Sequence, residues 1–423
     1  METHTNPEAP PFVLAALTQS GDIQLDNTGA LTIGTVDGVF GIRIGDPITA
    51  DQYDCIVITT ASPYVVDADV ENIGGGDIVL AAKGQADSDD MTINANITAK
   101  THLGVDGNIR LYAGDDIRYE SGLISAEHGG QIQLSAGEDY NDGSTFQAGN
   151  LLGDVTMASG QWLLSGSGTI QVEATRNIGL SILSTSTNII VRADRHKHGV
   201  SDGLGEIIDN LLGEDAHLRA TSAYLEAGSG IGQGVDPGTG LLGDIDTQLA
   251  TIQIVNHGLA GDIHVSETPA GGNLGVTWLT QSDPNGDGDT WVMTEDGTLT
   301  IVAIVAARAG VIIAGRGDLT LFADGGDDSH LIINDSVYAT TGRVNLQADG
   351  RGPLDGGDAR DGPHLGLYGR RQQPAPAGPD GPAIDARRGP ARADGSLRDQ
   401  AESGPAVGCE RRRPHYAAGR VAV

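Results

Sequence analysis

A short phrase of glycine, a polar residue and alternating aliphatics returns at a fixed interval through residues 107–176, and few architectures satisfy such a repeat. Gly107-Asn108-Ile109-Arg110-Leu111 is answered by Gly130-Gln131-Ile132-Gln133-Leu134 and by Gly153-Asp154-Val155-Thr156-Met157, so the glycines stand 23 residues apart. Inside each phrase the apolar residues occupy every second position, the period that sends side chains to opposite faces of a strand. One face is therefore built to be buried, and a unit this short cannot bury it alone. Such units stack on one another as a solenoid. The pattern predicts an all-β chain, a right-handed parallel β-helix (β-solenoid), with Ile109/Ile132/Val155 and Leu111/Leu134/Met157 as inward ladders. At ~23 residues per coil, residues 15–350 would make about 14 coils.

Composition agrees with thin stacked coils. Only 4% of the 423 residues are aromatic and 39% are hydrophobic, so the core must be made of Ile, Val, Leu and Ala. The 63 glycines come without a collagen period and suit frequent tight turns. A formal charge of −32 argues against nucleic acid and anionic membrane as partners. Cys55 and Cys409 lie far apart, and neither a disulfide framework nor a metal-ligand spacing is read from them. The N-terminus has no basic region, and the apolar run from Phe12 to Leu17 is too short for a signal sequence or a membrane span. The chain is accordingly expected to be a piece of a longer polypeptide, with no signal peptide or transmembrane segment of its own.

Taken in order, residues 1–14 read as a disordered lead, residues 15–350 as the solenoid, and residues 351–423 as a different material. The last part holds 12 of the 25 Lys+Arg, all of them Arg, and nine of the 17 Pro. It is expected to be disordered or the product of an out-of-frame reading. Within the solenoid the phrase breaks at Arg195-His196-Lys197-His198, where the two histidines read as a solvated loop rather than a metal pair. Ile207, Ile208, Leu211 and Leu212 have helical spacing with Gly213 as a stop, which predicts a short helix. Gly228-Ser229-Gly230-Ile231-Gly232 is not a phosphate loop, because no βαβ unit surrounds it.

Asp283-Pro284-Asn285-Gly286-Asp287-Gly288-Asp289 resembles the first half of an EF-hand calcium loop. Its oxygens alternate, with glycine sixth, but position twelve is Thr294 instead of a bidentate Glu. Asp283, Asn285, Asp287 and Asp289 are thus the candidate metal ligands, and calcium is the candidate ion. Arg316-Gly317-Asp318 spells an integrin tripeptide, yet Gly317-Asp318 is simply the turn of the repeat phrase.

Ala223-Tyr224-Leu225-Glu226-Ala227-Gly228, Asp246-Thr247-Gln248-Leu249-Ala250 and Gly261-Asp262-Ile263-His264-Val265 resemble the repeats of filamentous-haemagglutinin-type giant bacterial adhesins. That resemblance implies a secreted, cell-surface rod whose partners are surface glycans or proteins of a host or neighbouring cell, continuing into further β-helix repeats. The expected function is a non-enzymatic adhesion scaffold, without catalytic residues or an organic cofactor. The alternative is a pectin-lyase-like carbohydrate-active enzyme, a lyase or hydrolase, for which Asp327-Asp328 and His257-Gly258 are the sequence hints. A convergent acidic cluster with Arg or Lys on one outer ladder would favour the enzyme.

Overall fold

The computed structural model describes residues 12–45, 53–61, 63–84, 89–137, 152–195, 203–213, 215–233, 243–258, 261–303, 310–313, 315–325, 329–349 and 420–422. Each coil lays strands on three faces in turn. Ile78–Ala82 lies on face one, Met91–Ile93 on face two and Ile97–Ala99 on face three, and Ile109–Ala113 then returns to face one. Between coils the strands pair in parallel. On face one, Ile23, Ile56, Ile78, Ile109, Ile132, Ile170 and Ile189 stack in one unbroken column. Leu25, Ile58, Leu80, Leu111, Leu134, Val172 and Val191 form the column beside it. The chain is a parallel β-helix.

Alternation decides the core. Ile109, Leu111 and Ala113 are fully buried while Arg110 and Tyr112 between them are half-buried on the outside. Burying one such Leu or Ile contributes roughly 1.5–3 kcal/mol, and the ladders repeat that gain at every coil. Tyr64 and Tyr119 also lie in the interior.

Two sequence expectations are corrected here. Val155 and Met157 do not continue the Ile109/Ile132 and Leu111/Leu134 columns; they stack on Ile117 and Tyr119 on face two, and Ile170 and Val172 take the places expected for them. Strands on different faces open with the same glycine–polar–apolar phrase, so the phrase alone does not say which face it begins. The predicted helix is a strand, Glu206–Asp209, with Ile207 buried against Ile178 and Ile208 facing outward. Adjacent β-branched residues alternate comfortably in a strand, and Gly213, at φ +94°, serves a turn after it.

The first strand, Phe12–Thr18, begins ahead of the boundary expected at residue 15. Of the expected tail, only Arg420–Ala422 is among the described residues, and it pairs antiparallel with Ala15–Leu17. Cys55 is buried and is not a free thiol. No described helix is long and apolar enough to cross a membrane.

Candidate functional site

The polar residue that follows glycine in the phrase has a task beyond turning the chain. Asp77 Oδ1 accepts the backbone N–H of Asn108 at 3.0 Å, and Asn108 Oδ1 accepts that of Gln131 at 2.9 Å. Each acceptor reaches its own equivalent one coil further on. Asp116, Asp154 and Asn177 form the same ladder where face two begins, at 2.9, 2.8 and 3.1 Å, ending on Glu206. Asp69 and Asn96 repeat it on face three, ending on Leu123. A short acceptor at a turn captures an amide that would otherwise be left without a partner. Stacked carboxylates also act on one another: burial first, and then the charge of Asp116, raise the Asp154 carboxyl above its ordinary value.

This device places one of the candidate calcium residues. Asp289 belongs to a ladder with Asp262 and Asp318: Asp262 Oδ1 accepts the Asp289 amide at 2.7 Å, and Asp289 Oδ1 accepts the Asp318 amide at 2.8 Å. Asp283 Oδ1 accepts the amide of Asn285 at 2.7 Å, a turn closed on itself. Asn285 and Asp287 are exposed. Asp283, Asp287 and Asp289 do not meet as a group; among the described residues the one carboxylate trio within 4.8 Å is Asp90, Asp115 and Asp116. In that trio Arg118 supplies a cation, at 2.6 Å from Asp90 and 2.8 Å from Asp116. Asp318 of the Arg-Gly-Asp tripeptide caps Arg343 N at 2.7 Å, as its place in the phrase requires.

The outer side of face one carries the most chemically varied cluster. Glu173, Arg192 and Glu226 occupy one outward column on three successive coils. Arg192 lies 3.2 Å from Glu173 and 3.4 Å from Glu226, with its guanidinium 5.2 Å from the centre of the Tyr224 ring. The Tyr224 hydroxyl donates to Glu226 Oε2 at 3.0 Å, and His257 Nε2 meets Glu226 Oε1 at 2.9 Å. Burial raises the Glu226 carboxyl, but hydrogen bonds from His257 and Tyr224 and the neighbouring positive charges outweigh it and hold the group below its usual range. The Tyr224 hydroxyl is pushed up, mainly by burial and then by Glu226. His257 stays 43% exposed, whereas Glu173 is buried with Oε2 unpaired.

Sequence reasoning offered His257 as a hint of chemistry but not Glu173 or Arg192, and it met Tyr224 and Glu226 only as part of a repeat. Their residue types are scattered over separate coils, and only the stacking register gathers them. His196, His198, Asp327 and Asp328 lie outside the described residues. Comparison with protein-family models, curated proteins and solved structures finds no match to this chain.

Proposed function

We propose that the chain is a non-enzymatic stretch of surface scaffold, of the kind found in secreted adhesins of the filamentous-haemagglutinin type. The observation that carries this reading is how its carboxylates and amides are used. Asp77, Asn108, Asp116, Asp154, Asn177, Asp262, Asp289 and Asp318 each hold the next coil's backbone. These acceptors are spread along the rod and spent on its own backbone, whereas a catalytic centre concentrates its groups in one enclosed place. An acidic rod of this kind suits an extracellular position and weak multivalent contact with glycans or proteins of another cell, and it disfavours nucleic acid.

A second reading, a carbohydrate-active lyase or hydrolase, is favoured by one observation: the Glu173–Arg192–Glu226 column with half-exposed His257 beside it. The two readings part on turnover. Incubating the chain with acidic polysaccharides and calcium, and assaying new reducing ends and unsaturated products, is expected to give none. Reproducible cleavage abolished by Glu226→Gln would establish the enzyme instead.

A further inference from the structure

The outer side of face two changes character toward residue 349. His264, Trp291, Thr320 and Asn345 stack in one outward column, and Met293, Phe322 and Gln347 stack in the next. Their direction follows from their neighbours, since Val265, Val292 and Leu321 point inward and are fully buried. Trp291 and Phe322 are half-buried, and the His264 imidazole meets the indole edge-to-face with ring centres 6.2 Å apart. The chain has three Trp and four Phe, and its core ladders do not use Trp291 or Phe322. These rings therefore add apolar area to a surface that water still reaches.

We propose that this face is a binding platform for a neutral, hydroxyl-rich polysaccharide chain, an inference that rests on the surface-scaffold reading and gives it a ligand class. A pyranose ring has an apolar C–H face, which packs on an indole or phenyl ring, and a rim of hydroxyls. Asn345 and Gln347 supply side-chain amides beside the rings, which both donate to and accept from hydroxyls. Neighbouring strands are about 4.8 Å apart, and Trp291, Phe322 and the Asn345/Gln347 pair stand on three successive coils, so an extended glycan laid across the coils meets a ring or an amide at each. The ladder Asp262–Asp289–Asp318 borders the face with negative charge, and the whole chain carries −32. A polyanion is repelled there, whereas a neutral polymer is not.

The test is affinity electrophoresis and tryptophan fluorescence of the full chain with dextran, mannan, xylan and laminarin, using alginate and heparin as anionic comparisons. At least one neutral polymer is expected to bind. Trp291→Ala should weaken that binding roughly tenfold, and Trp291→Phe should keep most of it, while Trp162→Ala on face three should leave it unchanged. Thermal melting of each variant separates lost binding from lost folding, and Phe322→Ser gives a second reading should Trp291→Ala unfold. Failure of all four neutral polymers, equal or tighter binding of alginate or heparin, or wild-type affinity in folded Trp291→Ala would each overturn the platform. Cleavage of a bound polymer would instead overturn the non-enzymatic reading and leave the platform standing.

Discussion

Asp209 Oδ1 lies 2.7 Å from Nε2 of His217 inside the solenoid, where His217 has no exposed surface. The Asp246 amide donates to His217 Nδ1 at 3.1 Å, so Nδ1 is the acceptor and Nε2 carries the proton given to Asp209. Asp209 occupies an inward position, stacked on Leu180. A charge in an aliphatic column is tolerated only with such a partner. Replacing His217 by Ala should destabilise the rod by about 3 kcal/mol, because Asp209 then stays buried with one donor, Leu211 N, instead of two. Asp209→Leu combined with His217→Leu should recover much of that loss. Urea unfolding of the three proteins checks both statements, and an unchanged midpoint in His217→Ala would refute the first.

Glu267 gives a pH dependence. It has no exposed surface; Thr247 Oγ1 donates to one carboxylate oxygen at 2.5 Å and Leu249 N to the other at 2.8 Å. Burial dominates these bonds and pushes the carboxyl up to about 7. A Glu raised in the folded state favours the protonated form there. Its contribution is therefore fully present below the unfolded value, near 4.5, and is lost as pH rises through about 7. Between those limits wild type should lose stability relative to Glu267→Gln, whose amide does not titrate. Parallel melting curves for the two proteins across this window would remove the assignment.

Ladder carboxylates and amides should behave differently from surface charges. Asp289→Ala removes the acceptor for Asp318 N, a bond on the exposed side of the turn, and should cost about 0.5–1.5 kcal/mol, whereas Asp289→Asn keeps a side-chain oxygen and should cost less. Asp287→Ala, exposed and outside the ladder, should stay within about 0.5 kcal/mol of wild type. Chemical denaturation orders the three.

For calcium, the carboxylates of Asp283, Asp287 and Asp289 do not converge within reach of one ion, which predicts no stoichiometric site in residues 283–289. Titration calorimetry of wild type and Asp287→Ala should give equal heats. Saturable heat lost in Asp287→Ala would establish the loop as a calcium site.

The interior was legible where the phrase names its own face. Ile109 and Ile132 announce their stacking because both phrases share one spacing and one face. Val155 misled because the same phrase also opens face two, so equal spacing in sequence does not ensure equal position in the coil. The Ile207–Leu212 segment misled through a coincidence of spacing, since two adjacent isoleucines fit a strand as readily as a helix turn. Asp and Asn after glycine were legible as turn formers, but their bonds join residues 23 to 31 positions apart and exist only once coils stack. Glu173, Arg192 and Glu226 were hidden for the same reason. Trp291 and Phe322 were present as rare residues, yet nothing local says that they share a surface.

The ladder also bears on how such a gene can lengthen. Asp116, Asp154 and Asn177 each satisfy the amide of the residue standing at their own position in the following coil. An in-frame duplication of one coil would copy acceptor and recipient together, and the inserted unit would arrive with its bonds to both neighbours already specified. Recombination between coils then requires no compensating substitution at this corner. Lineages could change rod length in whole coils while point mutation remained free to alter the outward columns.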